Sequence, residues 1–131
     1  MRNVQDYLRN GEIYVAKETF AVAKTNAAVE GVFAAITDKK ETTIVIDQSK
    51  LLQCKDSIAE VSKDWKIITF DLLLPIDMVG FIAMVAQTLA EEGISILIVS
   101  AYSTDHVLVQ EKDLQKAVKK LESFGCAIKE R

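Results

Sequence analysis

The second half of the sequence alternates between two hydrophobic periods in a fixed order, which constrains the fold more than any other feature. β-Branched and apolar residues dominate three segments, Trp65–Leu74, Ile94–Ser100 and His106–Gln110. Such segments are typical of buried strands. Between the first two, apolar residues recur at three- and four-residue spacing over Met78–Glu92. This spacing predicts an amphipathic helix.

Capping and turn-forming residues separate these segments. Asp77 is a candidate N-cap for the helix, and Gly93 is placed to end it in a left-handed conformation. Tyr102–Asp105 holds the turn residues of a hairpin. We predict a second amphipathic helix over 114–121 and a last strand over 126–128. The order β-α-β-β-α-β predicts an α+β, ferredoxin-like sandwich, with both helices on one face of a four-stranded antiparallel sheet.

The first half of the sequence is less regular. Glu12–Glu18 alternates like a strand, and Phe33–Asp38 followed by Thr42–Asp47 predicts a hairpin. Thr25–Glu30 is compatible with a short helix or a loop, and Ile58–Val61 with a fragment of helix or strand. Strand, connection and hairpin therefore recur in the same order as in the second half, which favours a degenerate duplication.

The charge distribution argues against nucleic acid as a partner. The formal net charge is −3 and the sixteen basic residues are scattered along the chain, whereas binding a phosphate backbone requires Lys and Arg on one face. The densest basic cluster, Lys116, Lys119 and Lys120, alternates with acidic residues as on a solvated helix face. We predict no nucleic-acid partner.

The cysteines and the apolar runs predict a cytoplasmic protein with no membrane partner. Cys54 and Cys126 are the only cysteines and neither belongs to a C-x-x-C pair, so we expect buried thiols in a reducing compartment. The first ten residues contain no apolar core of a signal peptide. The longest apolar run is interrupted well before the roughly 20 residues that span a bilayer.

No motif or cluster of residues indicates catalysis, a metal or a cofactor. His106 is the only histidine, and its position at the start of an apolar strand favours a structural role. A metal site requires three or four convergent ligands, and no such spacing is present. The arginines, Arg2, Arg9 and Arg131, lie near the termini, which disfavours phosphate chemistry. We therefore predict a protein that is not an enzyme and has no cofactor.

Two segments of the second half resemble ACT domains. LLLPIDMVGFIAMVAQTL (Leu72–Leu89), followed by AEEGISI (90–96), is similar to their apolar strand, glycine-containing loop, helix and next strand. Ser100–Val109 resembles the hairpin of the ACT domains of aspartate kinases and of the arginine sensor of the TOR pathway. The resemblance implies a ferredoxin-like ACT domain over 63–131.

The first half carries a weaker resemblance. Phe33–Asp38 and Glu41–Ile46 are similar to the first ACT-like unit of small tandem-ACT proteins. The resemblance implies a degenerate ACT-like unit over 1–62. With two units in each chain, a homodimer would bring four together, and the burial of the apolar strand 94–99 at the dimer interface would protect it.

A binding site for an α-amino acid must satisfy one carboxylate and one ammonium that leave water. Free amides at a helix N-terminus suit the carboxylate, and Gly80 allows close approach to the backbone. Asp105 or Asp77 is a candidate partner for the ammonium. The resemblance implies that the ligand lies between two ACT units, held by the loop before the helix and by the hairpin. The predicted ligand-binding residues are Asp77, Met78, Val79, Gly80, Phe81, Ile82, Ala101, Tyr102, Thr104 and Asp105.

Structural interpretations of these residues stay open. Asp77 suits an N-cap, Tyr102–Asp105 an ordinary turn, and Phe81 the hydrophobic core. Met78 stands where the arginine sensor has an acidic residue, so arginine is disfavoured as the ligand.

We predict an allosteric, regulatory amino-acid sensor, with an amino acid or similar small zwitterion as its partner. The alternative is an ACT-fold interaction module that dimerises or docks on a partner and binds no small ligand. The sensor requires a polar notch beside the hairpin, whereas the interaction module does not.

Overall fold

The computed structural model describes residues 4–72, 74–75 and 78–131 of the 131-residue chain. These ranges contain the helices α1 (Val4–Asn10), α2 (Phe81–Glu91) and α3 (Leu114–Glu122), together with the strands β1 (Glu12–Val15), β2 (Phe20–Thr25), β3 (Ala34–Thr37), β4 (Thr42–Asp47), β5 (Ile58–Asp71), β6 (Ile96–Ser100), β7 (Asp105–Gln110) and β8 (Ile128–Glu130). Short 3₁₀ segments follow β4 and β7. No helix in the described part of the chain has the length and apolar character that crossing a bilayer requires.

The described residues form two compact units. The first comprises residues up to Lys17 together with Lys66–Arg131, and the second is Glu18–Trp65. These bounds differ from the predicted halves, 1–62 and 63–131, because β1 pairs with strands of the second half. The ACT-like character of the N-terminal half stays a prediction.

The first unit contains a sheet in the order β6-β7-β5-β1-β8. β6 and β7 are antiparallel, and β1 is antiparallel to β5, with Ile13 opposite Phe70. β8 runs parallel to β1, and Ile13 is also opposite Ile128. The predicted four-stranded antiparallel sheet is therefore wrong in two respects: β1 is inserted between β5 and β8 as a fifth strand, and it pairs with β8 in parallel. Main-chain hydrogen bonds from Arg131 to Val15 (2.8 Å) and from Lys17 to Arg131 (2.8 Å) extend this pairing.

Both helices of the β-α-β-β-α-β unit cover the same core, as predicted. α2 contributes Phe81, Val85 and Leu89, and α3 contributes Ala117 and Leu121. These side chains pack on the strand residues of one sheet face, which include Ile13, Ile68, Phe70, Val107 and Val109. An ion pair between Lys120 and Glu92, at 3.6 Å, joins α3 to the end of α2. The ferredoxin-like α+β fold is confirmed.

The second unit contains β2, β3, β4 and the first part of β5. β3 and β4 form the predicted antiparallel hairpin, and β2 pairs with β4 and β5. One small core cluster of this unit contains Ala21, Ala23, Ile44 and Ile46. Residues 26–33 contain no helix, so this segment is a loop.

Several boundaries differ from the predicted ones. β5 begins at Ile58 and not at Trp65, and β2 and α1 were not predicted from the sequence. Among the described side chains of α1, only Leu8 is buried. A single buried position gives no helical spacing of apolar residues, which is why the sequence did not predict this helix. Cys54 and Cys126 are free cysteines. Both are only half-buried, whereas the sequence predicted buried thiols.

Candidate functional site

Helix α2 begins after a glycine. The N-cap is Gly80, at φ 94° and ψ −5°, and no side-chain cap hydrogen bond is made there by the residues that the structure describes. The first intrahelical bond joins the Met84 N–H to the Gly80 carbonyl at 3.0 Å. The amides of Phe81, Ile82 and Ala83 therefore have no acceptor within the helix. The predicted N-cap was Asp77, which lies outside the described residues.

The β6–β7 hairpin supplies the second predicted segment. The Ala101 N–H donates to the Thr104 carbonyl at 2.8 Å and closes the turn. The Ser100 hydroxyl donates to the Asp105 carboxylate at 2.6 Å. This bond joins the last residue of β6 to the first residue of β7, and a carboxylate can accept further hydrogen bonds.

These two segments line one cavity of about 300 Å³ in the first unit. The described residues that line it are Phe70, Leu72, Leu74, Pro75, Met78, Gly80, Phe81, Ile82, Ala83, Ser100, Ala101, Tyr102, Ser103, Thr104 and Asp105. Eight of the ten predicted residues are among them. Val79 is not, and its side chain is 88% exposed. Asp77, the remaining one, lies outside the described residues.

The floor of the cavity was not predicted from the sequence. Phe70 and Leu72, at the end of β5, are buried and line it together with Phe81. The Phe70 and Phe81 rings pack edge to face, with centroids 5.4 Å apart at 76°. The end of β5 faces the start of α2 in a ferredoxin-like unit. That topological rule is the signal that would have pointed to these residues.

A hydrogen-bonded histidine supports the hairpin behind the cavity. The two ring nitrogens of His106 lie 2.9 Å from the hydroxyls of Thr69 and Thr104. Burial lowers the pKa of His106, and the charge of nearby Asp105 opposes this shift. At neutral pH the ring is therefore neutral, with one nitrogen donating and the other accepting. Thr104 also lines the cavity, so this chain of hydrogen bonds links the cavity lining to Thr69 on β5.

We expect the free energy of unfolding to fall as the pH decreases from 7 to 5. The lowered pKa of His106 means that the unfolded chain takes up the proton first, below the ordinary value of 6.5. The contribution of neutral His106 to the free energy of unfolding is complete above that value. It decreases as the pH falls further, down to the pKa of His106 in the folded state. The slope cannot exceed about 1.4 kcal/mol per pH unit, and the partial exposure of the ring reduces it.

Urea unfolding between pH 5 and 7, with and without His106→Gln, measures this effect. His106 is the only histidine, and Asp38 and Asp47, whose pKa values are lowered by hydrogen bonds, titrate below this window. The free energy of unfolding of the variant should change less with pH than that of the wild type. An equal slope with pH in both proteins would mean that another group causes the effect.

The family follows from the segment that contains this cavity. Residues 60–123 match the sequence model of the ACT domain. Residues 60–123 therefore belong to the ACT-domain family. The match extends from β5 to α3 and so includes both segments that line the cavity. No curated protein sequence matches the chain significantly.

Solved structures share the fold of this chain over nearly its whole length. A protein from Agobacterium tumefaciens superposes with a TM-score of 0.77, at 22% identity over 92% of this chain and 93% of that one. A protein of unknown function from Vibrio cholerae gives 0.74, at 23% identity over 92% and 94%. The regulatory subunit of aspartate kinase from Thermus thermophilus gives 0.65, at 10% identity over 88% and 97%. Identities this low establish the fold alone.

Proposed function

We propose that this ACT domain binds an amino acid, or a similar small zwitterion, in the cavity between the start of α2 and the β6–β7 turn. One observation carries the proposal: the two segments, separated in sequence by most of α2 and β6, line the same cavity. The similarity to the regulatory subunit of an aspartate kinase supports a regulatory role.

The two ends of the cavity complement the two charges of a zwitterion. The ligand carboxylate accepts hydrogen bonds from the amides of Phe81, Ile82 and Ala83, which have no acceptor within the helix and lie where the helix dipole favours negative charge. A Cβ atom at Gly80 would meet none of the described residues within 4 Å, which supports space for a ligand beside this residue. The ammonium pairs with the carboxylate of Asp105 on the opposite side.

The role is regulatory and not catalytic. Burial raises the pKa of Cys126, whose thiol donates to the Leu121 carbonyl at 3.3 Å, so this cysteine is a poor nucleophile. His106 is held between two threonines and supports the hairpin. Ligand binding acts by favouring one packing of the chain with a second copy over another.

The second copy pairs along β6, which makes the protein a homodimer. Among the described strands β6 pairs only with β7, and Leu97 on β6 is 40% exposed. An open edge strand with apolar side chains is normally covered in a stable protein.

A thermal-shift screen with the twenty amino acids tests the proposal. A ligand at 100 times its dissociation constant should stabilise the fold by about 2.7 kcal/mol. Asp105→Asn should weaken the binding of any such ligand about 10-fold or more, because a charge-assisted hydrogen bond to the ammonium is lost. Asp113→Asn is the matched control, since Asp113 precedes α3 with no side-chain cap bond and does not line the cavity.

If no amino acid raises the melting temperature, the interaction module is the better description of this ACT domain. The exposed side chains of Val79, Tyr102 and Leu97 would then be the contact surface. A ligand that stabilises the wild type and Asp105→Asn equally would remove Asp105 from the site.

A further inference from the structure

The second unit repeats the strand order of the first. β2, β3, β4 and the first part of β5 follow one another in the sequence as β5, β6, β7 and β8 do, and they lie in the order β3-β4-β2-β5. The corresponding strands of the first unit lie in the order β6-β7-β5-β8 when the inserted β1 is left out. A loop, residues 26–33, takes the place of α2, and the 3₁₀ segment Gln48–Ser57 takes that of α3.

The hairpins of the two units also correspond at their turns. Four residues, 38–41, connect β3 to β4, and four residues, 101–104, connect β6 to β7. In each turn the first N–H donates to the fourth carbonyl, at 3.0 Å and 2.8 Å respectively. Thr42 therefore opens β4 at the position where Asp105 opens β7.

A second cavity, of about 450 Å³, lies in the second unit. It is lined by Thr25 at the end of β2, by residues 26–29 that follow, and by the β3–β4 hairpin with Ala35, 37–42 and Ile44. The cavity of the first unit is likewise lined by the end of a strand, the segment that follows it and the turn of a hairpin. The two cavities thus occupy the same topological place in their units.

The turn beside the second cavity presents positive charge to a ligand. Lys39 and Lys40 both line this cavity, and no ion pair of the described residues includes either of them. The Asp38 carboxylate accepts from the N–H groups of Lys40 and Glu41, at 2.8 Å each. The Glu41 carboxylate lies 3.8 Å from the Lys24 ammonium. Both carboxylates of the turn therefore have partners already, whereas the two lysines can pair with a ligand.

Hydrogen-bond donors lie beside these charges. The Oγ1 atoms of Thr37 and Thr42 are 3.0 Å apart, and both residues line the second cavity. Only one hydroxyl can donate in this bond, so the other retains an O–H for a ligand. Asn26 also lines the cavity and carries two side-chain N–H donors. These groups suit carboxylate oxygens, which accept several hydrogen bonds each.

We propose that the second cavity binds a small organic acid with two carboxylates. The ammonium groups of Lys39 and Lys40 pair with the carboxylates, and Asn26 and the free threonine hydroxyl donate to them. This site goes beyond the proposed function, because none of its residues lines the cavity of the first unit.

Succinate is the probe, and an NMR titration of the ¹⁵N-labelled full chain at constant ionic strength measures its binding. We expect saturable changes of chemical shift at the amides of 25–29 and 37–42. Succinamide has nearly the same shape and no charge. It should bind about 4-fold to 25-fold more weakly, because each exposed ion pair contributes about 2-fold to 5-fold in affinity.

Removing both ammonium groups should have the same effect. Lys39→Gln combined with Lys40→Gln is expected to weaken the binding of succinate about 4-fold to 25-fold. Lys55→Gln combined with Lys63→Gln is the matched control, since both lysines are exposed in the second unit and lie outside the second cavity. The control removes the same net charge. It should change the affinity by less than about 2-fold, because salt screens exposed charges that make no contact with the ligand.

Several results would overturn the proposal. These are no binding of succinate, equal binding of succinate and succinamide, equal weakening by the two double variants, and binding of inorganic phosphate as tight as that of succinate. Shift changes confined to 80–83 and 100–105 would place succinate in the cavity of the first unit and would also overturn it. Binding at 25–29 and 37–42 that Asp105→Asn leaves unchanged supports the proposal, whether or not an amino acid binds to the first unit.

Discussion

Replacing Phe81 by alanine is expected to lower the free energy of unfolding by about 3–5 kcal/mol. Phe81 opens α2, is 3% exposed and packs edge to face on Phe70 at the end of β5. The substitution removes a whole ring from the core and leaves a cavity that the rigid strand end cannot fill. Urea unfolding followed by circular dichroism measures the change.

Two further variants test this explanation. Val79→Ala, at an 88% exposed position before the same helix, should change the stability by less than about 0.5 kcal/mol. A double-mutant cycle with Phe70→Leu and Phe81→Leu should give a coupling energy of about 0.5–1.5 kcal/mol for the ring pair. A loss below about 1 kcal/mol in Phe81→Ala would contradict the packing described here.

Replacing Leu89 by alanine is expected to lower the free energy of unfolding by about 2–5 kcal/mol. Leu89 lies in the last turn of α2 and is 0% exposed, within the core that both helices share with the sheet. Its carbonyl also accepts from Glu92 and Ile94 at the end of the helix, but these backbone bonds survive the substitution. The loss therefore reports side-chain packing.

A leucine on the surface provides the matched control for Leu89. Leu52 is 82% exposed, so Leu52→Ala should change the stability by less than about 0.5 kcal/mol. Chemical denaturation of the two variants under the same conditions gives the difference directly. Comparable losses in both would mean that burial does not determine the contribution of leucine to this fold.

The order of elements in the second half could be predicted because each element has its own local signature. The change of period between Trp65–Leu74 and Met78–Glu92 separates strand from helix. Gly93 adopts φ 71° after α2, and Gly125 adopts φ 92° after α3. Both conformations favour glycine, which is why these residues predict the helix ends correctly.

The features that sequence reasoning missed depend on long-range pairing. The position of β1 between β5 and β8 is set by contacts such as Ile13 with Phe70 and with Ile128. No local pattern encodes a partner so distant in the chain. The start of α2 was also misplaced: the helical spacing extends over Met78–Glu92, but the helix begins at Phe81, after Gly80 at φ 94°.

The candidate site was predicted in its two segments but not in its floor. Gly80 and Asp105 were singled out because a zwitterion needs amides and a carboxylate, and the structure places both residues on one cavity. Phe70 and Leu72 were assigned only to a buried strand. They also line the cavity because the end of β5 lies beside it, and the sequence pattern does not specify that position.

The pairing of β1 with β5 means that residues 18–65 interrupt what would otherwise be a simple β-hairpin. The Ala16 N–H donates to the Ile67 carbonyl at 3.0 Å, and the Lys66 ammonium donates to the Lys17 carbonyl at 2.9 Å. The chain thus leaves the first unit at Lys17 and re-enters it at Lys66, two residues that lie side by side. A two-residue turn could connect the strands at this point. Because the entropy of closing such an excursion grows only with the logarithm of its length, the first unit tolerates an insert of almost any size. A protein that turned back directly from Lys17 to Lys66 would retain every described residue that lines the cavity.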